Sequence, residues 1–297
     1  MNQKEIIIVI GTLHALGGAE RQAILLAAGL KEKGYPVTIL SFGKGSVENY
    51  LDEENINYRI FEFNFLSPFR KKIFPLIRLT FMLRKLKPYA IIPFVTINSK
   101  YIGLIWKYTG AKFACWNQRD EGREIFGTRL EKYSAENVPV IVSNSYAGRE
   151  AIEKKLGISR DRIKIINNGI ILPQEPSDEV WREKLGLDDK SIIISMLASL
   201  YRYKDHSTLL VAWELVLKEL NRSRIPAYLI CAGKDAGLLN QLKIQAFDLR
   251  ISEHVFFPGS IKNTSQLLSD SIIVVHSSLN EGCPNAILEA MAHKKAV

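Results

Sequence analysis

Apolar runs of strand length alternate along this chain with longer stretches whose apolar positions recur at helical spacing. The first strand is predicted at residues 5–10 and is followed by a helix at 19–33, which ends at Gly34. The second half repeats this order, with strands at 192–197 and 272–275. The alternation predicts an α/β chain with parallel sheets.

The length and composition of the chain agree with two domains. A chain of 297 residues suits about two domains, and 47% hydrophobic residues are enough to fill a core in each. A short stretch rich in proline and polar residues, at 172–178, marks the boundary. We therefore predict a Rossmann-like N-terminal domain over 1–172 and a Rossmann-like C-terminal domain over 173–297.

The segment after the last predicted strand has features of an anion site. A loop of small residues leads to a helix that Pro284 is suited to begin at its first position. Free backbone N–H groups near Cys283 to Ala286 and the positive end of the helix dipole favour a bound anion such as a diphosphate. Glu289, five residues into the helix, could then bond a ribose, while Glu281 on the loop faces a sugar. The alternative is one solvated loop charge and one helix-face charge.

The string from Glu281 to Ala292, with Glu281 and Glu289 eight positions apart, resembles the E-x7-E signature of the retaining glycosyltransferases of family 4. Those enzymes have the GT-B architecture, in which two Rossmann-like domains face each other across a cleft. The resemblance covers nearly the whole chain. Gly17 and Gly18 resemble the glycine loop after the first strand, where a side chain would block close approach of the backbone to a phosphate or sugar.

The segment 198–210 resembles the phosphate clamp of the family and departs from it at two positions. Ser199 stands where the family often has arginine, and Asp205 where it often has glycine, but Lys204 is retained. Arg202 could supply the second cation, or it could point to solvent. Fixed positive charge is required because negative charge develops on the leaving diphosphate.

The resemblance thus implies roles for particular residues. Glu281, Lys204 and Arg202 would be catalytic, with Glu281 bonding sugar hydroxyls and the two cations neutralising the diphosphate. The expected donor-binding residues form a larger set: Gly17, Gly18, Arg202, Lys204, Glu281, Gly282, Cys283, Pro284, Asn285 and Glu289.

Acceptor contacts are expected on the N-terminal domain. His14 precedes the glycine pair on the first loop. Arg119, Asp120 and Glu121 occupy the region where many relatives carry a histidine, and that histidine is absent here. We predict that these four residues contact the acceptor or the sugar, and ordinary loop or core roles are the alternative.

Positive charge is concentrated in one window. Residues 63–119 contain eleven Lys or Arg and no Asp or Glu, so with a net charge of +9 the rest of the chain sums to −2. Aromatic and aliphatic residues interleave with these cations, which predicts an amphipathic surface element that binds an anionic membrane. A core helix with a solvated basic face is the alternative. Nucleic acid is not an expected partner because no binding motif is present.

Other features narrow the class of protein. No apolar run reaches 18 residues and no signal peptide is recognisable, so we expect a cytoplasmic protein, peripheral at the inner face of the cell membrane. Three widely spaced cysteines predict neither a disulfide framework nor a zinc site. The absence of an Asp-x-Asp pair predicts no metal, and the nucleotide-sugar is expected as substrate, with no separate cofactor.

The resemblance implies a retaining hexosyltransferase. It would move a sugar from a UDP- or GDP-sugar to a saccharide or polyprenyl-linked acceptor in cell-surface polysaccharide synthesis. By the same resemblance, more strands and a helical tail would follow Val297, so we expect the second domain to be truncated. Two alternatives stay open: a non-catalytic remnant that binds membrane or acceptor, and a sugar-nucleotide epimerase of the same architecture.

Overall fold

The computed structural model describes residues 5–13, 17–173, 181–222 and 225–297, apart from the side chains of residues 221 and 222. The chain divides into two compact units, Met1–Gly169 and Ile170–Val297. The stretch 172–178, which the sequence analysis takes as the domain boundary, lies mostly outside the described residues.

Unit 1 is built on a parallel sheet of seven strands in the order β3-β2-β1-β4-β5-β6-β7. The strands are β1 (Ile6–Ile10), β2 (Val37–Ser41), β3 (Asn57–Ile60), β4 (Ala90–Pro93), β5 (Phe113–Gln118), β6 (Val140–Ser143) and β7 (Ile163–Ile165). The helices are α1 (Gly18–Glu32), α2 (Val47–Glu53), α3 (Phe69–Leu86), α4 (Thr96–Thr109), α5 (Arg129–Asn137) and α6 (Tyr146–Leu156).

Strand β1 shows why this sheet is covered by helices on both sides. All five of its residues are buried. Ile7 and Val9 pack into one hydrophobic cluster with α3 and α4, whereas Ile6, Ile8 and Ile10 pack into another with α1 and α2. A continuous apolar run is typical of a parallel strand buried on both faces. The strand order reverses between β1 and β4, and ligands of such sheets bind beyond the carboxyl ends of the strands at that point.

Unit 2 is a smaller sheet of the same kind, with parallel strands in the order β10-β9-β8-β11. They are β8 (Ile192–Leu197), β9 (Ala227–Ala232), β10 (Val255–Gly259) and β11 (Ile273–Val274). The helices are α7 (Trp181–Lys184), α8 (His206–Arg222), α9 (Leu239–Asp248), α10 (Thr264–Asp270) and α11 (Asn285–Ala292). Ala296 forms a parallel bridge with Ile273, next to β11. The order reverses between β8 and β11, which places the candidate ligand edge of this unit there.

The observed elements follow the sequence prediction closely, with small shifts at their ends. Helix α1 ends at Glu32, and Gly34 follows at φ 80°, the left-handed conformation that glycine adopts readily. The prediction that Pro284 occupies the first helical position is wrong by one residue. Pro284 has an extended backbone, with ψ 119°, so it caps α11 and the helix begins at Asn285.

None of the helices that the structure describes is long and apolar enough to cross a bilayer.

Candidate active site

The loops that follow β8 and β11 lie side by side because these parallel strands are neighbours. The Ser277 hydroxyl donates to the carbonyl oxygens of Lys204 (3.0 Å) and Asp205 (3.1 Å). The Leu279 N–H donates to the Tyr203 carbonyl oxygen at 3.0 Å. These bonds hold the two loops together at the carboxyl edge of the sheet.

A charged cluster lies where the loops meet. The Lys204 ammonium is paired with Oε1 of Glu281, and Nε2 of His276 lies 3.2 Å from the same oxygen. The Ser278 hydroxyl oxygen is 3.0 Å from that ring nitrogen. The side chains of Lys204 and Glu281 are only 15% and 20% exposed, so their charges are partly withdrawn from water. The structure therefore brings together two of the three residues expected to be catalytic.

The cluster determines the charge of its members. Burial raises the pKa of Glu281, but hydrogen bonds from His276 and Lys204, together with the Lys204 charge, outweigh burial and lower the pKa to about 2. Burial, the Lys204 charge and His276 lower the pKa of His206 to about 4. At neutral pH the cluster therefore contains one carboxylate, one ammonium and an uncharged His206.

Asp205 shows how the chain accommodates its departure from the family motif. Its backbone is left-handed, with φ 51° and ψ 45°, a conformation that suits glycine and that Asp and Asn tolerate better than other residues. Its carboxylate oxygen Oδ1 also accepts the N–H of Thr208 at 3.3 Å, in the first turn of α8. Aspartate can thus replace glycine here and cap the helix as well.

The other residues of unit 2 that are expected to bind the donor lie on the same two loops and on α11. Arg202 begins a short 3₁₀ turn that ends at Lys204, and its side chain is exposed, so the structure does not bring it to Glu281 as it does Lys204. Gly282, Cys283 and Pro284 lead into α11 at Asn285. Glu289 occupies the fifth position of α11, where its Oε2 is 3.5 Å from the Thr264 hydroxyl oxygen.

The glycine pair of unit 1 lies at the start of α1. Gly17 is the residue before the helix and Gly18 is its first residue. A Cβ on Gly17 would lie 2.5 Å from Oε2 of Glu20, so the end of that flexible side chain would have to shift. His14 lies outside the residues that the structure describes.

The three other residues expected on the acceptor side lie just beyond β5, and each has an intramolecular partner. The Arg119 guanidinium donates to Oδ1 of Asn168 and lies over the Phe94 ring, 5.2 Å from its centroid. Oδ1 of Asp120 accepts from the Gln118 amide at 2.7 Å and from the Gly122 N–H at 2.6 Å. Burial raises the pKa of Asp120, although the Gly122 bond opposes this.

Glu121 is tied within the same loop, where its Oε2 lies 2.8 Å from Nη2 of Arg123. A further carboxyl group, Glu124, was missed by the sequence analysis. Its pKa is raised by burial first and then by the negative charge of Asp120, with a smaller contribution from Glu20. The side-chain carboxyl groups of Asp120, Glu121 and Glu124 thus lie within interaction distance of one another, just after the C-terminal end of β5.

The basic window contributes a helix with three distinct faces. Leu76, Leu79 and Leu83 of α3 are buried in the core of unit 1. Apolar side chains continue on its exposed surface, at Phe69, Ile73, Phe74, Ile77 and Phe81. At 100° per residue, Lys71, Arg78 and Lys85 form a row beside this exposed apolar stripe. A groove of about 370 Å³ runs between α3 and α4 and is lined almost entirely by apolar atoms.

Part of the predicted basic and aromatic surface is in fact internal. Lys72 is buried and donates to the Phe65 carbonyl oxygen at 2.6 Å, and Lys100 lies 3.4 Å from Glu131. Phe63 is buried in a ring cluster with Phe42 and Tyr101. The interleaved pattern therefore combines a core element with a surface element, and α3 provides most of the latter.

His276 is the clearest residue of the site that was not predicted from the sequence. Its spacing from Glu281 carries no recognisable signal, and the contact arises only when the loop folds. In the part of the chain that the structure describes, no group of three or more His, Cys, Asp or Glu side chains could hold a metal ion.

Two models of known families match successive parts of this chain. Residues 16–172 match the model of Glycosyltransferase Family 4, and residues 177–297 match the model of Glycosyl transferases group 1. The first match alone spans more than half of the chain. The chain belongs to glycosyltransferase family 4. It is therefore a transferase of nucleotide-linked sugars, as the resemblance implies.

Two curated relatives support this membership. An uncharacterised glycosyltransferase of Haemophilus influenzae is 25% identical over 305 residues, which cover 97% of this chain and 78% of that protein. The UDP-Gal:alpha-D-GlcNAc-diphosphoundecaprenol alpha-1,3-galactosyltransferase of Escherichia coli is 25% identical over 168 residues, covering 55% of this chain and 43% of that protein.

Solved structures agree on the fold. Anabaena HepE in complex with UDP and glucose is 18% identical with a TM-score of 0.81, over 98% of this chain and 79% of that one. The lipopolysaccharide outer core galactosyltransferase WaaB is 16% identical, with a TM-score of 0.70. The match covers 98% of this chain and 79% of WaaB. The expected α/β fold of the GT-B type, with two Rossmann-like domains, is confirmed.

Proposed function

We propose that this glycosyltransferase moves a hexose, with retention of anomeric configuration, from a UDP- or GDP-sugar to a saccharide or polyprenyl-linked acceptor in cell-surface polysaccharide synthesis. The observation that carries the proposal is the ion pair between Lys204 and Glu281 beside the start of α11. It supplies a cation for a diphosphate and a carboxylate for sugar hydroxyls within one partly buried cluster.

Each end of a sugar nucleotide has a proposed partner. Lys204 neutralises the charge that develops on the leaving diphosphate, with Arg202 as a second cation, and neither role calls for a metal. Gly282, Cys283 and Asn285 carry backbone N–H groups at the N-terminus of α11, where the helix dipole favours an anion. Glu281 accepts hydrogen bonds from the sugar and Glu289 from the ribose. Gly17 and Gly18 remain proposed donor-binding residues, because neither has a side chain that would block close approach of the backbone.

The names of relatives favour a uridine carrier and suggest acceptors. HepE is described with UDP and glucose, and the Escherichia coli relative is named for UDP-Gal and a diphosphoundecaprenol acceptor. WaaB is named for the lipopolysaccharide outer core. We extend these chemistries to the present chain as a UDP-hexose donor and a saccharide or polyprenyl-linked acceptor, which Arg119, Asp120 and Glu121 of the domain at 1–172 would contact. The domain at 173–297 would hold the donor.

We also propose that α3 holds the enzyme at the inner face of the cell membrane. Its exposed apolar stripe can enter the boundary between headgroups and acyl chains, while Lys71, Arg78 and Lys85 bond anionic headgroups. No Asp or Glu occurs between residues 63 and 119 to oppose that attraction. Acceptors that are anchored by a polyprenyl chain would be found at the same surface.

Ligand-dependent stability of the purified chain tests the proposed donor. Thermal unfolding would be measured with UDP, GDP, UDP-glucose and UDP-galactose for the wild type, for Glu289→Ala and for the control Glu253→Ala. A ligand present at 100 times its Kd adds roughly 2.7 kcal/mol to the apparent stability. Wild type and control should both be stabilised by the uridine ligands, and Glu289→Ala should lose most of that gain.

The result that would overturn the proposal is the absence of any response from a folded wild-type chain, or an equal response from Glu289→Ala. If UDP-glucose were converted to its epimer with no acceptor present, the epimerase alternative would replace transfer. Binding to anionic vesicles without any nucleotide response would favour the non-catalytic alternative.

A further inference from the structure

His276 has the geometry of a hydrogen-bond donor to Glu281. Its Nε2 is 3.2 Å from Oε1 of Glu281, and its side chain is only 10% exposed. The other ring nitrogen, Nδ1, is buried and has no hydrogen-bond partner among the described residues. Because a carboxylate oxygen only accepts hydrogen bonds, Nε2 is the donor in this contact.

Charged and polar groups surround His276. The Lys204 ammonium, the neutral His206 ring, the Ser278 hydroxyl and the Glu281 carboxylate all lie close to it. Of these groups, the Glu281 carboxylate can only accept, so it takes the hydrogen bond from Nε2.

The Lys204 ammonium cannot pair fully with Glu281 and with a diphosphate at the same time. In the structure the Lys204 ammonium is paired with Glu281, and in the proposed reaction it neutralises a diphosphate. As the ammonium turns to the phosphate oxygens, Glu281 loses its charged donor, and without a second donor the carboxylate would rotate. The hydrogen bond from His276 does not depend on Lys204 and remains.

We infer that His276 is a positioning residue, which holds the Glu281 carboxylate in the orientation that accepts sugar hydroxyls while Lys204 is engaged with the diphosphate. This inference rests on the proposed function of the same site. It assigns the sugar-dependent part of donor affinity to the contact between His276 and Glu281. The diphosphate-dependent part belongs to Lys204 and the start of α11.

Binding constants for UDP and UDP-hexoses separate those two parts. Dissociation constants would be measured by calorimetry for UDP, UDP-glucose and UDP-galactose with the full chain. His276→Phe keeps a ring of similar size but has no N–H, and His276→Asn is polar but too short to reach Glu281. His276→Gln places an amide N–H near the position of Nε2. His254→Phe is the matched control, because His254 precedes β10 at the opposite edge of the sheet, with its Nδ1 3.0 Å from the Ala227 carbonyl oxygen.

We expect the Phe and Asn variants to bind UDP within about threefold of wild type and to lose about 10- to 100-fold in affinity for the preferred UDP-hexose, the range for a hydrogen bond to a charged group. The Gln variant should recover most of that loss, and the control should match wild type. Where the acceptor is known, the Phe variant should also lower kcat.

Three results would overturn the inference. Unchanged UDP-hexose affinity in the Phe and Asn variants would remove His276 from any positioning role. An equal loss of UDP and UDP-hexose affinity that Gln does not rescue would show that the ring only packs the loop. Failure of the folded wild type to bind any of the three ligands would overturn the proposed function itself, and this inference with it.

Discussion

The Lys204 ammonium forms an ion pair with Oε1 of Glu281, a residue 77 positions further along the chain. The pair connects the loop after β8 to the loop after β11, so it forms only when those strands lie side by side. Both side chains are partly buried, and each charge offsets the desolvation of the other. A ligand that carries phosphate and hydroxyl groups can replace both partners at once.

The depressed pKa of Glu281 predicts a specific pH dependence of folding stability. Its usual value of 4.5 falls to about 2 in the folded chain, so in that range the unfolded state binds more protons. The stabilisation is therefore present above about pH 4.5 and is lost as the pH falls toward 2. Since one pKa unit is about 1.4 kcal/mol and solvent screens a partly exposed group, we expect about 1–2 kcal/mol at pH 7.

Urea unfolding of the wild type and Glu281→Gln at pH 7, 5 and 3.5 measures this contribution. The difference between the two proteins should shrink below pH 4.5. Glu150→Gln serves as the control, because Glu150 is exposed and pairs with the exposed Lys154 in the next turn of α6. A difference for Glu281→Gln that stays constant across the series would contradict the prediction.

Lys204 and Arg202 should differ in their effect on nucleotide binding. Lys204 lies within the cluster, whereas Arg202 is exposed at the start of the 3₁₀ turn. We expect Lys204→Met to weaken the affinity for UDP by about 10-fold or more, and Arg202→Met to weaken it less, because solvent screens an exposed cation. Titration of UDP into each variant at low and moderate salt measures this.

Lys190→Met is the appropriate control for charge, since Lys190 is exposed just before β8, at the opposite end of that strand. It should bind UDP as the wild type does. Equal losses in all three variants would mean that general positive charge, and not the position of Lys204, attracts the nucleotide.

Two glycines should respond in opposite directions to the same substitution. A Cβ on Gly233, directly after β9, would lie 1.9 Å from the carbonyl oxygen of Ala198, so the ends of β8 and β9 would have to separate. A Cβ on Gly29, inside α1, would meet nothing within 4 Å. We expect Gly233→Ala to destabilise the chain by about 2 kcal/mol or more, and Gly29→Ala to stabilise it by about 0.5–1 kcal/mol.

Denaturant unfolding of both variants and the wild type measures these changes in the free energy of unfolding directly. The opposite signs provide an internal control, because any general effect of adding a methyl group would act in one direction. A neutral Gly233→Ala would show that the loop after β8 relaxes freely at the edge where the candidate site lies.

The exposed aromatic rings of α3 should control membrane binding. We expect the wild type to sediment with vesicles of phosphatidylcholine that contain phosphatidylglycerol, and less so at high salt. Phe74 and Phe81 are 68% and 61% exposed, and replacing both with serine should reduce binding about 10-fold or more through lost apolar burial.

Phe247→Ser is the matched control, since Phe247 is 74% exposed on α9 of the other unit. It should bind vesicles as the wild type does. Equal sedimentation with pure phosphatidylcholine, or an equal loss in the control, would contradict a specific role for α3.

The order of strands and helices was predictable because apolar periodicity and helix-ending glycines act over a few residues. The α/β class, the parallel sheets and the string from Glu281 to Glu289 follow from such local patterns. The start of α11 was misjudged by one residue, since the proline ring restricts φ while the neighbouring chain sets ψ.

The sequence by itself determined the class of fold and the family, and it indicated the residues that are proposed to hold a sugar nucleotide. Only the tertiary structure decided which side chains meet: His276 with Glu281, Arg119 with Asn168 across 49 positions, and Lys72 with the Phe65 carbonyl oxygen inside unit 1. The physical reason is that backbone preferences depend on near neighbours. Side-chain partners depend on which loops and helices the packed sheets bring into contact.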